Sequence, residues 1–61
     1  MIKLNVGDNV ELFNHSKGSV KTIDKITYQF ELDHENIITW FHIRNIKYLN
    51  GGLIDNELII T

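Results

Sequence analysis

The stretch ITYQFELDHENIITWFHIRNIKYL, Ile26 to Leu49, decides the fold. Ile26, Tyr28, Phe30 and Leu32 alternate with Thr27, Gln29, Glu31 and Asp33, a period-2 pattern that predicts a strand with four side chains on one core. Residues 33–36, Asp-His-Glu-Asn, read as the turn that ends it. Residues 37–41 are apolar on both parities. That pattern predicts a central strand, with one face on the core and the other covered or functional. His42, Ile43, Arg44 and Asn45 are too few for an α-helix and suit one 3-10 turn. Residues 46–49 read as the closing strand. Strand, turn, strand, 3-10 turn, strand is the second half of a small antiparallel β-barrel.

Working outward, Asn50-Gly51-Gly52 is a strong turn signal. Upstream, residues 19–24 read as another strand, but Val20 and Ile23 have opposite parity. A bulge or bend around Thr22 reconciles them. Residues 14–18 form a polar loop closed by Lys17-Gly18, and Val10 and Leu12 mark the strand before it. Together these give an all-β domain of about five antiparallel strands. Two apolar segments lie outside the five: Ile2, Leu4 and Val6 at one end, and Leu58, Ile59 and Ile60 within the tail, residues 53–61. Pairing them with each other stitches the chain ends. Pairing them across subunits gives a homodimer. The pattern alone leaves both open.

Composition bounds the function. The chain has 61 residues, which is one domain, residues 1–61. A domain this small buries only ~60% of the surface its unfolded chain exposes, so its stability is marginal. There is no Cys, hence no disulfide, thiolate metal site or Cys nucleophile. The formal net charge is −2, whereas nucleic-acid modules of this size are more often basic. No apolar run approaches the ~20 residues that span a bilayer, and no signal-peptide pattern opens the chain. The expectation is a cytoplasmic protein without a membrane partner.

Three histidines, His15, His34 and His42, have no short ligand spacing, so no metal site is expected. Asp33-His34-Glu35 sets two carboxylates around an imidazole. In a solvated turn their environments do not split their pKa values, which acid–base chemistry requires. His15-Ser16 are neighbours in sequence and do not present nucleophile to base. No GxSxG elbow or phosphate-binding loop occurs. No catalytic residue and no cofactor is expected, and the chain is read as non-enzymatic.

The run Thr39-Trp40-Phe41-His42-Ile43-Arg44-Asn45-Ile46 resembles the end of an SH3 domain: a strand, an aromatic–apolar pair, a 3-10 turn and an apolar residue opening the last strand. The resemblance implies an SH3-like barrel with Phe41 and Ile46 in the core. It also places Trp40, His42 and Asn45 where that family builds its peptide groove. The family's proline at His42 and its tyrosine at Asn45 are missing, and the first loop lacks aromatics. Recognition of proline-rich peptides is therefore not expected. Parity alone leaves Trp40 between core and surface, and the SH3 resemblance puts it outside.

Gly18, Thr27-Tyr28, the acidic turn at Asp33 to Glu35, Ile38-Thr39 before an aromatic pair, and Leu49 followed by Gly51-Gly52-Leu53 are similar to the small SH3-like proteins of Bacillus prophages, the YorP type. This implies a phage or mobile-element origin and a Gram-positive host, and it assigns no chemistry. Val6-Gly7-Asp8-Asn9-Val10 followed by Gly18-Ser19-Val20 also resembles KOW and Tudor-type barrels, which bind nucleic acid, ribosomes, polymerase or modified peptides. Type II dihydrofolate reductases share the barrel, but their pterin-holding Gln is absent from Ile38-Thr39-Trp40-Phe41.

The reading is an interaction module for a protein partner. Trp is enriched at binding hot spots, so Ile38, Trp40 and His42 form the centre of the expected contact surface, with Arg44 and Lys21 as its charged rim. The alternative is a KOW-like nucleic-acid or ribosome-associated module, for which a basic stripe with outward aromatics is the mark.

Overall fold

The computed structural model describes residues 2–55 and 57–60. It is all-β. The strands are β1 (Ile2–Lys3), β2 (Asn9–Leu12), β3 (Lys17–Asp24), β4 (Gln29–His34), β5 (Ile37–His42), β6 (Ile46–Leu49), β7 (Gly52–Leu53) and β8 (Leu58–Ile59), with a 3-10 turn at Ile43–Asn45. Six of them form one antiparallel sheet in the order β5-β4-β3-β2-β6-β7, and β1 pairs with β8 in a separate two-stranded sheet. The large sheet is not hydrogen-bonded into a closed barrel, because β5 and β7 are its two free edges.

One face of the large sheet carries the core: Val10 and Leu12 from β2, Val20 from β3, Phe30 and Leu32 from β4, and Ile46 from β6, joined by Leu4. Alternation explains most of this list. The register breaks twice: between Glu11 and Leu12 in the β2–β6 ladder, where Lys47 is an extra residue, and between Val20 and Thr22 in β3, where Lys21 is one. The β3 bulge switches parity, and Val20 and Ile23 both pack on the core.

Hairpin β4–β5 turns on Glu35 and Asn36, both with positive φ, and hairpin β6–β7 turns on Asn50 and Gly51, also both positive. Two such residues make the turn whose twist matches paired strands. The first hairpin takes this backbone without a glycine, and the second uses Gly51.

Ile26 and Tyr28 do not continue the strand. They lie in the turn before β4 and are 89% and 50% exposed. The cause is Asp24, whose carboxylate accepts hydrogen bonds from the amides of Ile26 (2.9 Å) and Thr27 (3.4 Å). This Asx-type turn ends β3, and Tyr28 takes a φ of 56°. The alternating pattern therefore runs through a bend that it does not encode. The Ile26 amide first, then that of Thr27, holds the Asp24 carboxyl below its ordinary pKa. The turn's stabilisation is present above the unfolded carboxylate range and is lost as pH falls through the lower folded value.

At the N-terminus, Leu4 is buried but Val6 is 64% exposed. The chain turns away at Asn5, whose amide donates to Asp8 Oδ2 (2.8 Å). The other Asp8 carboxylate oxygen accepts from Asn50 Nδ2 (3.2 Å), and Asn50 Oδ1 accepts from the Asn9 amide (2.9 Å). Two distant loops are thus clasped by one polar cluster.

The chain ends pair with each other. β1 and β8 run parallel, with Ile2 opposite Leu58 and Lys3 opposite Ile59. The Leu4 amide donates to the Ile59 carbonyl at 2.9 Å. Leu58 and Ile60 pack on the core beside Leu4. Of the two pairings open to the sequence, the structure contains the one within the chain, and Thr61 lies outside the described residues. Deleting residues 58–61 is expected to cost at least about 2 kcal/mol, since partly buried Leu and Ile side chains lose their cover. Chemical denaturation of the truncated chain checks this.

Candidate functional site

β5 pairs with β4 in an unbroken register, His34 with Ile37 through Gln29 with His42. The two-residue turn makes His34 and Ile37 a hydrogen-bonded pair, so bonding alternates outward from it. The Ile43 amide donates to the Tyr28 carbonyl at 2.9 Å, which confirms that parity. Odd-numbered residues of β5 therefore bond to β4. The even-numbered residues Ile38 and Trp40 aim their backbone N–H and C=O at the open edge.

Side chains follow the same parity. Phe41 faces the core, with its ring 6.3 Å from that of Phe30. Ile38, Trp40 and His42 stand on the opposite, outer face. Ile38 is 43% exposed, Trp40 46%, and Ile37 at the start of the strand 65%. Exposure on both sides reflects the position of β5 as an edge strand. The reading of residues 37–41 as a central strand is corrected by the sheet order. Five consecutive uncharged residues look the same whether a neighbour lies on both sides or on one.

His42 caps the 3-10 turn. Its Nδ1 accepts from the Arg44 amide (3.1 Å) and from Arg44 Nε (3.2 Å), and Arg44 Nη2 lies 3.3 Å from the other ring nitrogen, Nε2. Arg44 is thereby folded back onto the imidazole. The two residues border an apolar groove of about 580 Å³ with Phe13, Ile54 and Leu58.

Lys21 sits elsewhere. The β3 bulge places it in a groove of about 360 Å³ that also holds Lys3 and Lys25, over Ile23 and Ile60. Of the five residues expected at the contact surface, Ile38, Trp40 and His42 share one strand face, and Arg44 is tied to His42. Lys21 faces a separate groove.

The charged groups that directly neighbour the apolar row were not assigned to it by the sequence reading. Trp40 stands opposite Glu31, and Ile38 opposite Asp33, across the β4–β5 ladder. Both pairs belong to the non-hydrogen-bonded set, in which side chains lie closest. Neither carboxylate has an ion-pair or hydrogen-bond partner among the described residues. The β4 alternation carried the signal, since Glu31 and Asp33 share one parity. Only the cross-strand register shows what they face.

Asp33, His34 and Glu35 do not converge on a site. Glu35 is in the turn, and His34 Nδ1 donates to the Lys17 carbonyl. No group of three His, Asp or Glu side chains among the described residues is arranged to hold a metal ion. No helix among them is long and apolar enough to cross a membrane. No family model, curated protein or solved structure matches the chain.

Proposed function

We propose that the protein is a non-enzymatic interaction module that captures an extended segment of a partner protein along β5. The observation that carries this is the contrast between the sheet's two edges. β7 has two residues and β5 has six. Natural proteins blunt a long edge with Lys, Pro, a bulge or a covering segment. The sequence of β5, IITWFH, has no charged residue or proline, and its ladder to β4 has no bulge. Such an edge offers main-chain hydrogen bonds at Ile38 and Trp40 and side-chain anchorage on the face next to them, which is how strand addition recognises peptides.

The SH3-like architecture is part of the same proposal. It is supported by the 3-10 turn between β5 and β6, with Phe41 packed on the core before it and Ile46 buried after it. A phage or mobile-element origin and a Gram-positive host belong to the same proposal, and the YorP-type resemblance supports them.

Selection of a random dodecapeptide display library on the protein is expected to enrich binders that slow hydrogen exchange at the Ile38 and Trp40 amides. Binders that leave both amides unchanged overturn the proposal. Trp40→Ala is expected to shift folding stability by no more than about 1 kcal/mol and to weaken the selected binders by ~2 kcal/mol or more. Thermal melts and fluorescence titration measure the two effects separately.

A second reading has its own observation. Lys3, Lys21 and Lys25 are three of the six basic residues, and they meet in one groove that no carboxylate lines among the described residues. This supports the KOW-like alternative, in which the groove follows a nucleic-acid backbone. That mode is expected to give binding of short RNA that falls steeply with salt and is lost on replacing the three lysines by Gln.

A further inference from the structure

We infer that the segment β5 captures is an alternating one, with Lys or Arg at every second position and apolar residues between. The inference rests on the edge reading above and specifies the ligand's chemistry. Ile38 and Trp40 form a short apolar row on the outer face, and on its far side stand Asp33 and Glu31, one opposite each. The two carboxylates lack partners among the described residues. They therefore form a line of negative charge parallel to the open edge, one strand in from it.

An incoming strand lies ~4.8 Å beyond β5, and its side chains alternate between the two faces. Those on the outer face meet Ile38 and Trp40. A short side chain there covers the apolar row and stops. A Lys or Arg lays its methylene stem across the row, stacks its cation near the Trp40 ring and reaches toward Glu31 or Asp33. Because the two carboxylates are two residues apart on β4, the cations they select are two residues apart on the ligand.

The intervening residues point to the other face, toward Ile37 and Phe41, where Ile37 is the most exposed apolar side chain of β5. Apolar residues of the ligand cover it. The pattern apolar–basic–apolar–basic–apolar fits both faces at once. An acidic residue at either basic position faces a carboxylate across one strand and is repelled.

Three capped nonapeptides test this, alternating valine with lysine, glutamine or glutamate. Chain assembly by synthesis also permits one N-methyl group on the Ile38 amide, which removes a donor aimed at the open edge and leaves the β4 ladder intact. The lysine peptide is expected to bind about tenfold more tightly than the glutamine peptide at low salt. The glutamate peptide is expected to be weakest. The lysine advantage should vanish in Glu31→Gln/Asp33→Asn, and N-methyl-Ile38 should abolish binding of all three. Equal binding of lysine and glutamine peptides overturns the charge rule while the edge reading stands. Binding indifferent to N-methyl-Ile38, or no binding at all, removes the edge reading and the rule with it. Self-association that N-methyl-Ile38 blocks, seen as a doubled mass in sedimentation, replaces the basic segment by a second copy of the chain and overturns the rule.

Discussion

Phe30→Ala is expected to leave the chain largely unfolded at room temperature. Phe30 is fully buried near the start of β4, where it meets Phe41 and the β2, β3 and β6 core residues. Truncating a buried Phe costs ~3–5 kcal/mol, the lost transfer energy plus the cavity left behind. Total stability at ~0.05–0.15 kcal/mol per residue amounts to roughly 3–9 kcal/mol for a chain of this length. The substitution therefore consumes most or all of it. Phe30→Leu keeps most of the apolar volume and is expected to stay folded with a lowered midpoint. Urea denaturation of the pair decides the matter. A cooperative Phe30→Ala transition within 1 kcal/mol of the parent, on the scale of ordinary surface changes, would overturn the placement of Phe30 at the centre of the core.

The comparison between Phe30 and its strand neighbours marks what the sequence reveals. Phe30 and Leu32 are placed by period 2 alone. Ile26 and Tyr28 obey the same period and are exposed, because the Asp24 carboxylate bends the chain just before β4. The pattern has no term for a side chain that binds backbone amides two and three residues ahead. Local chemistry elsewhere is fully legible. The parity clash of Val20 and Ile23 required a bulge, and one occurs at Lys21. Asn50-Gly51 required a turn, and β6 and the 3-10 turn fall where short-range pattern sets them.

Sheet order is a different kind of information. That β5 lies at an edge depends on which strands β4 and β6 choose as partners, and those choices are made by contacts across the whole chain. The interaction site inherits this division. Ile38, Trp40 and His42 share a face by parity, so their alignment can be read directly. Lys21 was displaced from that surface by a bulge whose exact residue the pattern did not identify. Glu31 and Asp33 became visible beside Trp40 and Ile38 only through the register of two strands joined by a two-residue turn.

Gly18→Ala is the second large expected effect, and it arises from backbone rather than side-chain packing. Gly18 lies within β3, opposite Val10 of β2 and next to Ser19, which pairs with Asp33 of β4. A Cβ at this position stands 2.1 Å from the Asp33 carbonyl oxygen and 2.9 Å from its carbon. Side-chain rotation relieves neither contact, because both atoms are main chain of β4, the strand paired with β3 inside the sheet. The strands must separate there, which breaks the Ser19–Asp33 pairing and disturbs Leu32, whose Cδ1 lies 3.1 Å from the added carbon. Overpacking a core costs ~1–3 kcal/mol when side chains can adjust, and here they cannot, so a loss of at least about 3 kcal/mol is expected. Two other glycines calibrate the result. Gly51 has open space but a φ of 85°, so Gly51→Ala carries only the left-handed backbone cost of ~1–2 kcal/mol. At Gly52 the nearest atom is an ordinary 3.5 Å away, so Gly52→Ala is expected to lie within about 0.5 kcal/mol of the parent. Thermal denaturation of the three variants is expected to rank them Gly18, Gly51, Gly52 in order of damage. A Gly18→Ala protein as stable as Gly52→Ala would mean that β3 and β4 do not approach as closely as their register requires.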